Sequence, residues 1–348
     1  MKIIYWTMKD LLKYSCLFIG TLVLLCTGCR TDGDKWVKNV NSGAALGTSY
    51  NIIYLAKEEL DFEREIDSVF QVLNASLSTY IPTSDISRIN SGDSTIIVDR
   101  MFREVFELSG IVYAATDGYF DPTVGGLVNA WGFGPGAEME MDSARVDSLL
   151  DYVGFDKVSI SSENKIKMAS PGMYFDFNAI AKGYAVDRLA VMLQEKGITD
   201  YLIEVGGELV AKGENKIKAK KWVVAIDDPM MEESRSSKRT VYMKDVAMAS
   251  SGNYRKFKID PETGAKYVHT IDPKTGYTKN SNILAATVMA KDCATADAFA
   301  TSFMAMDLEK TKTILAQHKD LHGYIIYLDP EGNVLEYMTD GFKNNVIE

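Results

Sequence analysis

The sequence predicts an α+β fold, with a mixed or antiparallel sheet flanked by helices, and three observations carry that prediction. Apolar runs of period two and apolar runs at helical spacing both recur, without the regular β-α-β rhythm of a doubly wound sheet. Glycines separate consecutive strand-like runs, as in "YLIEVGGELVAKG", which is a hairpin pattern. The 348 residues are 46% hydrophobic and 25% charged, an ordinary globular balance with enough apolar side chains for a large core.

The N-terminal stretch stands apart. Lys2, Lys9 and Lys13 precede the apolar run "CLFIGTLVLLC", which is short for a bilayer span and suits the core of a signal peptide. "LLCTGCR" then sets small residues before Cys29, as in a bacterial lipoprotein signal. Residues 1–28 are therefore expected to be removed and Cys29 to be lipidated, with 29–43 as a tether and 44–348 as the folded domain. The expected location is outside the cytoplasm, held to a membrane through the lipid on Cys29; an uncleaved anchor helix is the alternative. After cleavage only Cys29 and Cys293 remain, so no internal disulfide is expected.

The body follows in order. "SYNIIYLA" is a strand and "FEREIDSVFQVLNASLS" a helix; "MFREVFELSGIVYAATDG" is a second helix that stops at Gly118. "MYFDFNAIAKGYAVDRLAVMLQEKG" runs from a strand into a helix ending at Gly197. "YLIEVGGELVAKG" and "KWVVAIDDP" are strands, and "ILAATVMAKDCATADAFATSFMAM" passes from strand to helix. "LHGYIIYLDPEGNVLEYM" closes as a hairpin on its Asp-Pro-Glu-Gly turn. "KFKIDPETGAKYVHTIDPKTG" holds two Asp-Pro-x-x-Gly turns, with His269 between them. The first turn, at 260–264, reads as a plain hairpin tip.

A formal net charge of −10 argues against sequence-independent nucleic-acid binding, which needs basic stripes. An anionic ligand would need local help from a metal ion or a helix N-terminus. Walker, Rossmann and HExxH patterns and paired CxxC motifs are all missing from the sequence. Short polar clusters remain. In "ATADAFATS", Asp297 and Thr301 are four residues apart, so on a helix both oxygens share a face and could hold a hard cation. Taken alone, a first-turn acid favoured by the helix dipole and a hydroxyl bonded to its own helix explain them as well. In "DFNAIAKGYAVD", Asp176 leaves a strand and Lys182 sits early in the next helix, a place suited to phosphate or, equally, to a cap and a solvated lysine. "TDGYFDPTVGGLVNAWGFGP" interleaves aromatics and glycines, which makes either a platform for a planar ring or a loop core. Gly206-Gly207 marks close backbone approach to a ligand or a strand. A lone histidine such as His269 is more often structural than catalytic.

Together and in this order, "ALGTSYNI", "STYIPTSDISRIN", "DGYFDPTVGGL", "DFNAIAKGYAVD", "YLIEVGGELVAKG", "VAMASSGNYRKF", "VHTIDPKTG" and "ATADAFATS" resemble the ApbE family of flavin transferases. The resemblance implies one α+β domain related to the T-fold. It also implies FAD as substrate, Mg²⁺ as cofactor, and transfer of FMN to a Thr or Ser hydroxyl with release of AMP. Acceptors would be proteins with a Ser-Gly-Ala-Thr-like site, such as subunits of redox complexes. FAD hydrolysis to FMN and AMP, or flavin binding without catalysis, are the alternatives.

Carried over by motif, the flavin contacts fall on Leu46, Tyr80, Tyr119, Phe120, Asp121, Asp176, Lys182 and Ile271. The metal site falls on the main-chain carbonyl of Ala179 and the side chains of Asp297 and Thr301. His269, oriented by Asp272, is the candidate proton carrier, and Lys182 the candidate phosphate clamp. This chain has Leu46 where many members have Met, Asn178 for a common Gly, and Ala300 where some place a second acid. In "VNSGAALG" the hydroxyl-bearing last position of the acceptor pattern is Ala45, so self-flavinylation is not expected.

Overall fold

Strands β1 (Val37–Ala45) and β2 (Thr48–Ala56) open the fold as a hairpin. Helices α1 (Glu63–Leu77), α2 (Asp85–Asn90), α3 (Arg100–Ala115), α4 (Gly125–Ala130) and α5 (Ser143–Leu150) follow, then the small hairpin of β3 (Val158–Ile160) and β4 (Ile166–Met168). Helix α6 (Ala181–Glu195) leads to β5 (Tyr201–Val205) and β6 (Glu208–Lys212), the ribbon of β7 (Trp222–Asp227) and β8 (Ser237–Met243), and β9 (Val246–Gly252). After the short pair β10 (Phe257–Ile259) and β11 (Lys266–Val268) come β12 (Ile283–Ala290), α7 (Cys293–Ala305) and α8 (Leu308–Gln317). The last elements are β13 (His322–Leu328), β14 (Val334–Met338) and α9 (Asp340–Lys343). This computed structural model describes residues 35–229, 237–253, 257–259, 266–279 and 281–347. The signal stretch, Cys29 and the turn at 260–264 lie outside the described residues.

Eight strands form one sheet in the order β1-β2-β5-β6-β9-β12-β13-β14, and every neighbouring pair is antiparallel. Alternation along each strand feeds two cores. In β2, Ile52 and Tyr54 enter the main core beneath helices α1, α6 and α7, while Leu55 faces a second core. There Trp222, Ile226, Val241 and Met243 of the β7–β8 ribbon, with Phe342 of α9, cover the other face of the sheet. Each fully buried residue of this size contributes roughly 1.5–3 kcal/mol. Among the described residues no helix is long and apolar enough to cross a membrane.

Two expectations change. Residues 37–43, assigned from sequence to a tether, form most of β1, which pairs with β2 along its whole length. As an edge strand with a single neighbour among the described residues it is largely solvated, so its polar composition is what an edge requires.

The second change concerns 173–177, expected to be a strand. Met173, Phe175 and Phe177 are each 1% exposed and alternate as a strand's would, yet these residues join no sheet. On one edge Tyr174 makes an isolated parallel bridge to Val124 and Asp176 N–H donates to Pro122 C=O at 2.7 Å. On the other a side chain takes the partner's place, as Asn90 accepts from Phe175 N–H at 2.7 Å and donates Nδ2 to Phe175 C=O at 2.9 Å. Asn90→Ala would leave both backbone groups unpaired in the core, an expected loss of about 2–4 kcal/mol. Urea denaturation measures it, and a loss below about 0.5 kcal/mol would show that the amide is not holding this segment.

Candidate active site

The segment that Asn90 holds delivers residues 176–183 to the start of α6, and a glycine lets that start touch α7. A Cβ on Gly183 would lie 2.3 Å from the Cys293 carbonyl oxygen and 2.8 Å from Ala294 Cα. With only hydrogen there, Gly183 N–H reaches the Asp297 carboxylate at 3.0 Å. Gly183 is the third residue of α6, so its N–H is one of the first-turn donors with no partner inside the helix, and Asp297 supplies one from α7. The first bond of the helix runs from Tyr184 N–H to the Ile180 carbonyl at 2.9 Å, so the Ala179 carbonyl just before it takes no part in the helix ladder.

Asp297 is the fifth residue of α7, past the first turn in which the helix dipole favours an acid. It is 2% exposed, and burial pushes its carboxyl up, against the pull of Lys182. The three N–H groups at the start of α7 are already taken: Asp187 accepts from Cys293 and Ala294 at 2.8 Å each, and Asp292 from Thr295 at 2.9 Å. The N-terminus of α7 is thus capped by the protein's own carboxylates. Burial pushes Asp187 up to about 7 despite those two bonds.

Lys182 bonds Glu208, the first residue of β6, and stands beside Asp297. Burial opposes its charge, but Asp297 and Glu208 together outweigh burial and hold the ammonium above its usual range. Glu208 reaches this point because Gly206 and Gly207, at φ +63° and +105°, make the two-residue turn between β5 and β6. The glycine pair therefore serves a neighbouring strand: a Cβ on Gly206 would meet Thr48 at 2.7 Å. Thr301 lies one turn beyond Asp297 on the same helix, 3.2 Å from the Ser251 hydroxyl of β9.

The remaining predicted positions separate into two groups. Leu46 lies in the β1–β2 turn at φ +52° and packs against the main core. Tyr80 is 60% exposed; burial and then the nearby Asp176 carboxylate raise its phenol. Asp176 is itself raised by burial and accepts from Asn178 N–H at 2.7 Å. Tyr119 is flanked by Lys310 and Lys274, whose Nζ atoms lie 4.6 and 5.8 Å from its ring centroid.

The other group turns its side chains inward. Phe120 is a core residue, and Ile271 packs with Leu127 and Val153. Asp121 accepts from Thr123 N–H and hydroxyl at 2.8 and 2.6 Å and from Phe155 N–H at 3.2 Å, and burial brings its carboxyl to about 6. Asp272 caps its own turn through Lys274 N–H at 2.9 Å and faces Lys279 at 3.8 Å. That carboxylate is committed to the turn, which is tied down further by the Trp131 indole N–H on Gly276 C=O at 2.9 Å. His269 follows β11 and is partly buried.

Two residues that matter here were not singled out from sequence, Glu208 and Asp187. Glu208 carried a visible mark, being an acid that opens an otherwise apolar strand, "ELVA". Among the described residues no three His, Cys, Asp or Glu side chains gather as a metal cluster. A cation here would draw on one or two carboxylates, a hydroxyl and a carbonyl, an oxygen set that suits Mg²⁺ and leaves positions for water and phosphate.

An antiparallel α+β domain in which two buried carboxylates, Glu208 and Asp297, flank the partly exposed Lys182 at a helix start has the charged groups of a polar ligand-binding site. The chain belongs to the ApbE family, whose model matches residues 46–325. A FAD:protein FMN transferase of Vibrio cholerae is 34% identical over 339 residues, 92% of this chain and 96% of that protein. The one from Haemophilus influenzae is 33% identical over 316 residues, 87% and 90% of the two chains. Among solved structures, the flavin transferase ApbE from Vibrio cholerae superposes with a TM-score of 0.79 at 32% identity, covering 89% of this chain and 99% of that one. The apo flavinyl transferase of Pseudomonas stutzeri gives 0.78 at 28% identity, covering 89% and 96%.

Proposed function

We propose that this protein moves the FMN half of FAD onto a Thr or Ser hydroxyl of an acceptor protein and releases AMP, with Mg²⁺ as cofactor. The observation that carries this is the Glu208–Lys182–Asp297 array, set in a chain whose relatives are FAD:protein FMN transferases. Ala179 C=O, Asp297 and Thr301 would hold the ion. Bound there, Mg²⁺ supplies charge neutralisation and Lewis-acid polarisation at the pyrophosphate.

The chain's own groups do the rest. Lys182 Nζ binds a pyrophosphate oxygen, and Tyr80 and Tyr119 frame the flavin ring together with Leu46. The acceptor oxygen attacks the FMN phosphorus, the bond to the bridging oxygen breaks, and AMP leaves. His269 takes the proton from the attacking hydroxyl, an imidazole being suited to that near neutral pH. Cys29 carries a lipid, and the reaction takes place on the exported side of a membrane.

The test incubates the mature protein with FAD, Mg²⁺ and extracted exported and membrane proteins, then looks for covalently fluorescent bands. Labelled acceptors that vanish with a chelator are the expected result. Free FMN and AMP without labelled protein would establish the hydrolase instead, and FAD surviving intact would remove both enzymatic readings.

A further inference from the structure

We infer that Glu208 gives a carboxylate oxygen to the same cation as Ala179, Asp297 and Thr301, standing in for the acid absent at position 300. This rests on the metal reading above and adds to it a residue from a different element, the β5–β6 hairpin.

Glu208 is 3% exposed. One carboxylate oxygen takes the Lys182 ammonium, while the other, Oε2, is buried and accepts no hydrogen bond. Leaving such an oxygen unpaired costs about 1–3 kcal/mol, and more for a charged group, so native structures rarely keep one without a water, an ion or another partner. The orphan oxygen also lies in the right company. Glu208 and Asp297 both act on Lys182, and Glu208 acts on Asp297 directly, so the three charges form one group.

The charge balance points the same way. Two carboxylates and one ammonium leave the pocket net negative, which repels a pyrophosphate. A divalent cation reverses the sign, and an oxygen from each carboxylate lets the protein hold it before the substrate arrives. Ala300, by contrast, is 0% exposed and sunk in the main core, so α7 presents Asp297 as its acid here. The hairpin supplies from across the sheet what the helix omits.

Manganese binding to the FAD-free protein, followed by electron paramagnetic resonance, tests this without any turnover. Glu208→Gln keeps the size of the side chain and an oxygen for Lys182, and is expected to weaken Mn²⁺ binding at least about tenfold. Lys182→Met frees the second carboxylate oxygen and should tighten Mn²⁺; adding Glu208→Gln in that background should weaken it again. If Glu208→Gln has no effect while Asp297→Asn abolishes binding, Glu208 is no ligand and the metal reading stands without it. An effect that disappears in the Lys182→Met background would mean that Glu208 acts only by holding Lys182, which also overturns the inference. A wild type that binds no Mn²⁺, with or without FAD, removes the metal reading and this inference together. Thermal melting checks each variant; should Glu208→Gln not fold, Glu208→Asp withdraws the carboxylate by one methylene, and unchanged Mn²⁺ affinity there is the refuting result.

Discussion

Asp297→Asn is expected to lower the rate of FMN transfer about a thousandfold while leaving the melting temperature within a few degrees of wild type. The two effects separate because of what the side chain touches. An asparagine keeps the size and offers its carbonyl oxygen to Gly183 N–H, so the contact between α6 and α7 survives. A neutral amide also escapes the desolvation that burial imposes on the Asp297 carboxylate, so it costs the fold little. What is lost is the negative charge that shares Lys182 with Glu208 and that, on the proposed function, attracts the divalent ion. Transfer rates at saturating FAD and Mg²⁺ decide the matter, and a rate within about threefold of wild type would take Asp297 out of the chemistry. The helix-dipole explanation open at the level of sequence predicts just such a mild result, but the residue's place in the second turn of α7 argues against it.

Gly183→Ala should damage both stability and activity, in opposition to helix propensity. Alanine in a helix interior is worth up to about 1 kcal/mol over glycine. At Gly183 the new methyl would lie 2.3 Å from the Cys293 carbonyl oxygen and 2.7 Å from its carbon, both of them backbone, so no rotamer change can relieve it. Forcing α6 off α7 costs at the upper end of the overpacking range, about 3 kcal/mol, for a net loss of about 2 kcal/mol. It also moves Ala179 and Lys182 away from Asp297, so transfer should fall by an order of magnitude or more. Gly126→Ala is the internal control: it too lies in a helix, but its added Cβ meets nothing within 4 Å, and it should be neutral or slightly stabilising. Equal melting temperatures for the two variants would show that the Gly183 contact relaxes without cost.

The sequence yields the elements whose own side chains declare them. Strand β2, helices α1 and α3 and the β12–α7 unit follow from periodicity, and Gly197 ends α6 at φ +80° as a helix-stopping glycine should. It misleads where the hydrogen-bond partner is not a neighbouring strand. The alternation at Met173, Phe175 and Phe177 reports burial correctly, but periodicity says nothing of what the backbone bonds to, and Asn90 answers from far along the chain. It misleads again at β1, because the solvated face of an edge strand has the composition of a linker.

For the site, the short motifs located Lys182 and Asp297 but could not rank the acids. Asp121, Asp272 and Glu208 look alike as letters. Only the fold shows that the first two spend oxygens on nearby backbone N–H groups, while the third keeps one in reserve. The two Asp-Pro-x-x-Gly copies also part company. The strands around the first pair as β10 and β11, while the second is anchored by Trp131.

The Glu208–Lys182–Asp297 array also sets a rule for inhibitor chemistry. Pyrophosphate mimics that rely on negative charge must bring a metal with them, and their potency should fall away in a chelating medium. A compound that replaces the whole pyrophosphate with a protonated amine carries its own positive charge to the two carboxylates. Such a compound should bind best when divalent ions are scarce, the reverse of what the proposed Mg²⁺-assisted binding of FAD requires.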